Sequence, residues 1–509
     1  DCESCCSATF AMDGYASLRT ITLHYGPCGS GAVRGSDGRL TAGLPYPQLF
    51  DGGDGGLRPR RLVGLRTGPG RSTIPRRSVA AMTFDALTHR IRWLALHGVI
   101  RATSTIGARR GGDLQARLIA DPAVRADPAA FADELRGHGP LIRCRAVLMT
   151  VDHQVANEIL RSEDFRVTAL GAGLPAPLRW INRKTHPGLL HPIEPPSLLS
   201  IEPPDHTRCR KLVSSVFTTR AVAGLRERVQ QTADLLLDDL DDLDGESAEV
   251  DVVARYCSQL PVAVISDILG VPECDRQHVL HFGELGAPSL DIGLSWQQYM
   301  QVHEGIVGFN GWLGDHLEHL RRNPGDDLMS QLIQASQSAA EGARLSDREL
   351  QATAGLVLAA GFETTVNLLG NGIRMLLDTP EHLETLATRP ELWPNAVEEI
   401  LRLDSPVQLS ARIASKDIEV AGTAVKRGEL VIIYLAGANR DPKVFDDPHR
   451  FDIERANAGR HLSFSGGRHF CLGAALARAE GEVGLRTFFE RYPAARLAGA
   501  GSRRDTRVL

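Results

Sequence analysis

The chain has no run of about 18 consecutive apolar residues, so no membrane-spanning helix is expected. The stretch IRWLALHGVI (Ile91–Ile100) is too short to cross and runs into Arg101. It reads as a packed helix or, at most, one lying in an interface. No secretory signal pattern is present. Formal net charge is only −5 over 509 residues, which gives no bulk electrostatic case for nucleic acid or an anionic membrane. Disulfide and zinc patterns are also lacking. Nine cysteines are an odd number and most stand alone, which suits a reducing cytoplasm. CESCC (Cys2–Cys6) has one CxxC spacing, but no second pair follows at zinc-site spacing.

Residues 1–81 lack lysine and any periodic apolar face, and hold 14 glycines and ten arginines. Such a segment cannot bury enough surface to offset its chain entropy. It is expected to be a disordered or mis-translated leader; the alternative is a basic tail that binds a partner. Residues 82–110 form an amphipathic N-terminal segment, and 111–509 one large, mainly helical domain. Asp127–Gly139 shows a helix start and a glycine stop. Further helices are expected at Ala221–Leu240, Val252–Leu269, Gln297–Arg322 and Asp326–Ala335. One strand is expected at Leu141–Val151, then two late ones at Asp417–Gly422 and Glu429–Gly437.

What the body does contain is one unusual helix. Ser346 stands three before Glu349, a capping box, and the apolar pattern then runs to Asp378, where Thr379-Pro380 stops it. That is about 33 residues, or roughly 50 Å, and so apolar a helix must cross the core. Its centre nevertheless reads AGFETT (Ala360–Thr365). Gly361 costs about 1 kcal/mol relative to alanine, and a buried unpaired Glu363 would cost several times more. The alternative places Glu363 on a solvated face.

The second informative stretch is HLSFSGGRHFCLGAALARAEGEVGL (His461–Leu485). A glycine-rich turn leads to Cys471 and a strong helix follows, so dipole and free N–H groups would stabilise a thiolate. Gly466, Gly467 and Gly473 would let the backbone approach something flat or bulky. An inert buried cysteine and a thiol nucleophile of hydrolase or peroxidase type are the rival readings.

With Phe464, Gly467, His469, Cys471 and Gly473 in the pattern F-x-x-G-x-[HR]-x-C-x-G, the sequence resembles the cytochrome P450 family. AGFETT is similar to that family's oxygen-activating segment, EILR (Glu399–Arg402) to its E-x-x-R pair, and PPDHTRCRKLVSSVF (Pro203–Phe217) to its heme-contacting helix. The resemblance covers about residues 111–509 and is closest to bacterial members fed by a ferredoxin. It implies a mainly α fold with small β-sheets and a long central helix over a buried heme b. It also implies Cys471 as axial iron ligand, Phe464, Gly473, Ala360 and Gly361 close to the heme, and His206, Arg210, Arg412 and His469 toward the propionates. Glu363 and Thr364 would be catalytic, delivering protons to dioxygen.

Glu399 and Arg402 would form a fold-holding network with Arg450 or Arg455. The function implied is a cytoplasmic monooxygenase acting on an apolar small molecule, with O2 and electrons from a ferredoxin and its NAD(P)H-dependent reductase. Arg208, Lys211 and Arg478 would be docking contacts. No nucleic acid and no membrane span are implied. The alternative is a heme-thiolate binding or sensing protein without turnover. Ser465 replaces a common glycine, and the sequence stops at Leu509, where family members continue with a strand pair lining the pocket. The pocket would draw on residues 169–199, 281–294, the central helix and 405–411.

Overall fold

A computed structural model describes residues 22–24, 79–216, 219–241, 250–291 and 293–498. Most of the leader and residues 499–509 lie outside them. Residues 1–26 and 88–509 make one compact unit, and 27–87 a second, of which the described part is the start of a helix at Val79.

The helices that position the site are, in chain order, α1 (Val79–Trp93), α2 (Val99–Arg109), α3 (His153–Arg161), α4 (Ala176–Lys184), α5 (Asp205–Val216), α6 (Thr219–Asp241), α7 (Gln259–Ile268), α8 (Trp296–Arg322), α9 (Asp347–Asp378), α10 (Trp393–Leu403) and α11 (Ala474–Arg491). A π turn, Leu94–Gly98, joins α1 to α2 without a break.

The expected central helix is α9. Its capping box is made in full: Glu349 N donates to Ser346 Oγ at 3.3 Å and Ser346 N to Glu349 Oε2 at 2.8 Å. By length and apolar composition this stretch could cross a membrane, yet over half of its most apolar window is buried within the protein. It packs instead on α7, α8, α10 and α11 in one core cluster. Close approach is what the small residues provide: a Cβ on Gly484 of α11 would meet Leu369 Cδ2 at 2.9 Å and Leu260 Cδ2 at 3.0 Å. Leu369 is fully buried there, and truncating it to alanine costs about 2–5 kcal/mol.

The main sheet has strands β1 (Ile142–Arg143), β2 (Leu148–Thr150), β3 (Phe165–Arg166), β4 (Leu409–Ala414) and β7 (Leu430–Tyr434), in the order β1-β2-β7-β4-β3. β2 and β7 run parallel and the other neighbours antiparallel. β5 (Ile418–Val420) and β6 (Thr423–Val425) form a separate hairpin. Thr22–His24, Val250–Asp251 and Arg496–Leu497 pair in a third small sheet.

Three expectations are corrected. Leu141–Val151 is a hairpin, because the chain turns at Cys144, whose N–H bonds Val147 O at 2.9 Å. Strands therefore also occur early. Val252–Leu269 splits into a π turn, Val253–Cys257, and α7. The end of the last expected strand, Leu435–Ala438, is a short helix.

Candidate active site

Four segments converge on Cys471. Its N–H bonds Phe464 O at 3.0 Å, closing the glycine-rich turn into a tight loop ahead of α11. Ser465 sits at φ 61° and Gly467 at φ 65°. Left-handed backbone is uncommon for serine, so this loop is held in a strained form. Gly467 is required for a different reason than expected: a Cβ there would lie 2.6 Å from Leu160 O of α3. Gly466 also faces α3, whereas a Cβ on Gly473 would meet nothing within 4 Å.

Cys471 is exposed, yet desolvation pushes its thiol up, outweighing the Gly473 N–H bond and the charges of Arg210 and Arg478. A group both accessible and desolvated lines a concave recess. Bound to a metal, the residue would serve as its thiolate.

The cationic residues gather round this loop. His206 and Arg210 both lie on α5, four apart and so on one face. The His206 and His469 rings stand 4.3 Å apart, and Arg210 Nη2 donates to Phe470 O at 2.7 Å. Arg412 reaches in from β4, where period-two alternation puts it on the same buried face as Ala414. Its Nη1 donates to Ser410 Oγ at 3.0 Å and its Nη2 to Ser465 Oγ at 3.4 Å. Among the described residues no carboxylate pairs with it. Burial lowers Arg412 to about 10; burial, then the neighbouring His469 and Arg210, lower His206 to about 4. His206 Nε2 and His469 Nε2 are buried without hydrogen-bond partners. The acid nearest to His469 is Glu202, with Oε1 3.8 Å from His469 Nε2, and Glu202 is already paired with Arg468 at 3.2 Å. Buried cations and orphaned donors beside one thiol fit an anionic group carrying a metal, such as a dicarboxylate porphyrin.

Contacts between α9 and α11 run in step: Thr365 with Glu480, Leu368 with Gly481, Leu369 with Gly484, Gly372 with Leu485. The segment Ala360–Thr364 therefore lies toward the Cys471 end of α11. Ala360 is exposed in the middle of this core helix, and Glu363 and Thr364 are half-buried. The helix runs unbroken past Gly361 rather than loosening. Gly361 does not open the recess: a Cβ there would meet Ile265 Cδ1 of α7 at 3.0 Å. Thr364 Oγ1 donates to Ala360 O at 2.8 Å. One expected pocket segment, 281–294, reaches this helix too, since a Cβ on Gly283 would meet Phe362 Cδ1 at 2.8 Å.

Sequence reasoning missed Glu480. It is fully buried, burial pushes its carboxyl up to about 8, and Thr365 Oγ1 donates to its Oε2 at 3.3 Å. An acid at helix spacing on an apolar face was the available signal. Glu398 was missed as well: burial alone would raise it, but hydrogen bonds from His461 and Arg478 hold it down to about 2. Of the expected docking residues, Arg478 is bonded to Glu398 with its side chain partly exposed, Arg208 is bonded to Glu349 and to Arg344 O at 2.7 Å, and Lys211 is exposed.

The fold-holding network resolves in favour of Arg455. Its Nε lies 3.0 Å from Glu399 Oε1, and Arg402 Nε 2.7 Å from Glu399 Oε2. Arg450 contributes only its carbonyl, which accepts from both arginines at 3.2 and 3.1 Å.

Comparison with known proteins agrees with this geometry. The sequence model of the Cytochrome P450 family matches residues 295–389 and 390–496. Cytochrome P450 140 of Mycobacterium tuberculosis is 68% identical over 420 residues, covering 82% of this chain and 95% of that protein. The 6-deoxyerythronolide B hydroxylase of Saccharopolyspora erythraea is 43% identical over 300 residues, 58% of this chain and 70% of its own length. The ligand-free crystal structure of Mycobacterium smegmatis CYP164A2 superposes with TM-score 0.66 at 34% identity, covering 76% of this chain and 94% of that one.

The chain belongs to the cytochrome P450 family. It is a monooxygenase with heme b as cofactor, using O2, a redox partner and an organic substrate.

Proposed function

We propose that Cys471 is the axial ligand of the heme and that the chain hydroxylates an apolar organic molecule with electrons from a ferredoxin. The observation that carries this reading is the ring of His206, Arg210, Arg412 and His469 around one recessed thiol, with orphaned ring nitrogens. Held on a cysteine thiolate, heme b supplies the iron chemistry that activates O2, the sulfur favouring O–O cleavage.

The chain's own residues do the rest. Arg412, Arg210, His206 and His469 hold the two propionates by charge-assisted hydrogen bonds. Ala360 leaves the distal side open. The Thr364 hydroxyl donates its hydrogen bond to Ala360 O, so its lone pairs are left to accept a hydrogen bond from a water on the distal side and hold it there. Glu363 is the adjacent acid that exchanges with solvent. Glu480 holds a proton at neutral pH one residue's reach behind Thr364, through Thr365.

The pocket segments 169–199, 281–294 and 405–411 supply mainly aliphatic side chains and proline, which suits an apolar substrate with few polar groups. The hydroxylase relative is named for 6-deoxyerythronolide B, a substrate in keeping with such a pocket. Arg208, Lys211 and Arg478 are the candidate docking residues for an acidic ferredoxin. Residues 111–509 are the heme domain in this reading, working in the cytoplasm.

The test is the reduced carbon monoxide spectrum of Cys471→His. Loss of the thiolate-type Soret band is expected; its survival overturns the ligand assignment. Parent protein with ferredoxin, reductase and NADPH should consume NADPH faster with a Soret-shifting apolar compound. No such compound, or no acceleration, would overturn the substrate class.

A further inference from the structure

Among the described residues, the segment from α1 through the π turn to α2 carries a row of apolar side chains left exposed. Ile91 is 41% exposed, Leu94 53%, Val99 39% and Ile106 52%. The spacings are three, five and seven. Three and seven keep to one face of an α-helix. Five would leave that face, but a π turn takes one extra residue, and it lies between Leu94 and Val99. The turn thus keeps one apolar stripe continuous along both helices.

The opposite face is anchored. Arg92, Ala95, Leu96, His97 and Gly98 are buried. Arg92 Nη1 donates to Asn182 O at 2.9 Å, Trp93 Nε1 to Leu294 O at 2.9 Å and Arg101 Nη1 to Gly293 O at 3.0 Å. The stripe is therefore held outward by a fixed helix. α4 packs against the π turn and adds Trp180, 56% exposed.

The two stretches that carry these side chains hold charge of one sign, with Asp113 and Glu194 just beyond their ends. Residues 86–112 and 165–193 contain no Asp or Glu, in a chain whose net charge is negative. Arg90, Arg109, Arg110, Arg179, Arg183 and Lys184 are all exposed. Among the described residues none of them forms an ion pair. A second copy docked by the same face would oppose these like charges.

We infer that this face lies on an anionic phospholipid surface, the stripe and Trp180 entering the headgroup boundary and the arginines meeting lipid phosphates. The weak overall charge is no obstacle, because attraction at a surface is decided within a Debye length. The inference does not depend on the heme chemistry.

Full-length holoprotein floated with vesicles of phosphatidylglycerol and phosphatidylcholine in equal parts should bind about tenfold more than with phosphatidylcholine alone, and less in high salt. Ile91→Ser with Leu94→Ser should lower binding about tenfold with heme content and Tm unchanged. Arg109→Gln with Arg110→Gln should lower only the anionic component. Equal binding to both vesicles, or no effect of either pair, overturns the proposal. So does a fall of several degrees in Tm for the serine pair, since the stripe would then be covered by the protein itself. A dimer in sedimentation that the serine pair dissociates would assign the face to a second copy instead.

Discussion

A buried arginine pair at α10 and the buried Arg412 with two histidines near Cys471 differ in one respect. At α10, Arg402 and Arg455 share the carboxylate of Glu399, and their remaining N–H groups reach carbonyls of Asn439, Pro448, Asp446, Asp447 and Arg450. Asp452 N–H also bonds Glu399 at 3.1 Å, and Arg402 lies over the Phe445 ring at 5.1 Å. Every charge there is met from within the protein. Around Cys471, Arg412 finds only hydroxyls and a carbonyl, and two imidazole nitrogens have no hydrogen-bond partner, His469 Nε2 lying 3.8 Å from Glu202. A closed network locks a fold, whereas an open one keeps donors for a ligand.

The sharpest way to break this contrast is Arg402→Met. Removing one partner of a fully buried pair costs about 3–5 kcal/mol, so the yield of folded protein should collapse with or without heme. Folded holoprotein at parental yield would refute the structural role.

Arg412→Met should act oppositely on the two forms. Heme retention should weaken by about 10–100-fold, the range for losing a supporting contact at a metal centre. The heme-free chain should melt no lower than the parent, because a buried charge without a carboxylate is removed. Heme transfer to apomyoglobin and thermal melts of both forms give the two numbers.

Thr364→Ala leaves both clusters intact. Heme content and the carbon monoxide spectrum should stay as in the parent, while product per NADPH falls by on the order of tenfold and hydrogen peroxide rises. Unchanged coupling would make Thr364 a packing residue.

Glu480→Gln gives a change that depends on pH. The folded-state carboxyl is raised to about 8, so the folded chain holds a proton that the unfolded chain loses at lower pH. Stability from this group is fully present below the unfolded carboxylate range and declines as pH rises toward 8. The variant should match the parent in Tm near pH 5 and exceed it near pH 9, at about 2–4 °C per kcal/mol. Equal curves at both pH values would mean Glu480 is not desolvated.

Local signals were enough for the central helix and for the family. The Ser346–Glu349 box, the Thr379-Pro380 stop and the apolar run defined α9, because capping and periodicity act within a few residues. The spacing from Phe464 to Gly473 singled out Cys471, and the four-residue step from His206 to Arg210 put both on one face. What depended on contacts between distant segments was not legible. Arg455 rather than Arg450 completes the Glu399 network because the loop at Asp446–Asp452 folds over α10. Gly361 serves α7 rather than the recess, and Gly467 serves α3. Glu480 reads as an ordinary acid in sequence, but packing in the fold removes it from water and raises its carboxyl. The outward stripe on α1 and α2 was likewise undecidable from IRWLALHGVI alone: which side of an apolar helix meets protein is set by its neighbours, and those neighbours lie about 90 to 200 residues away, at Asn182 and Leu294.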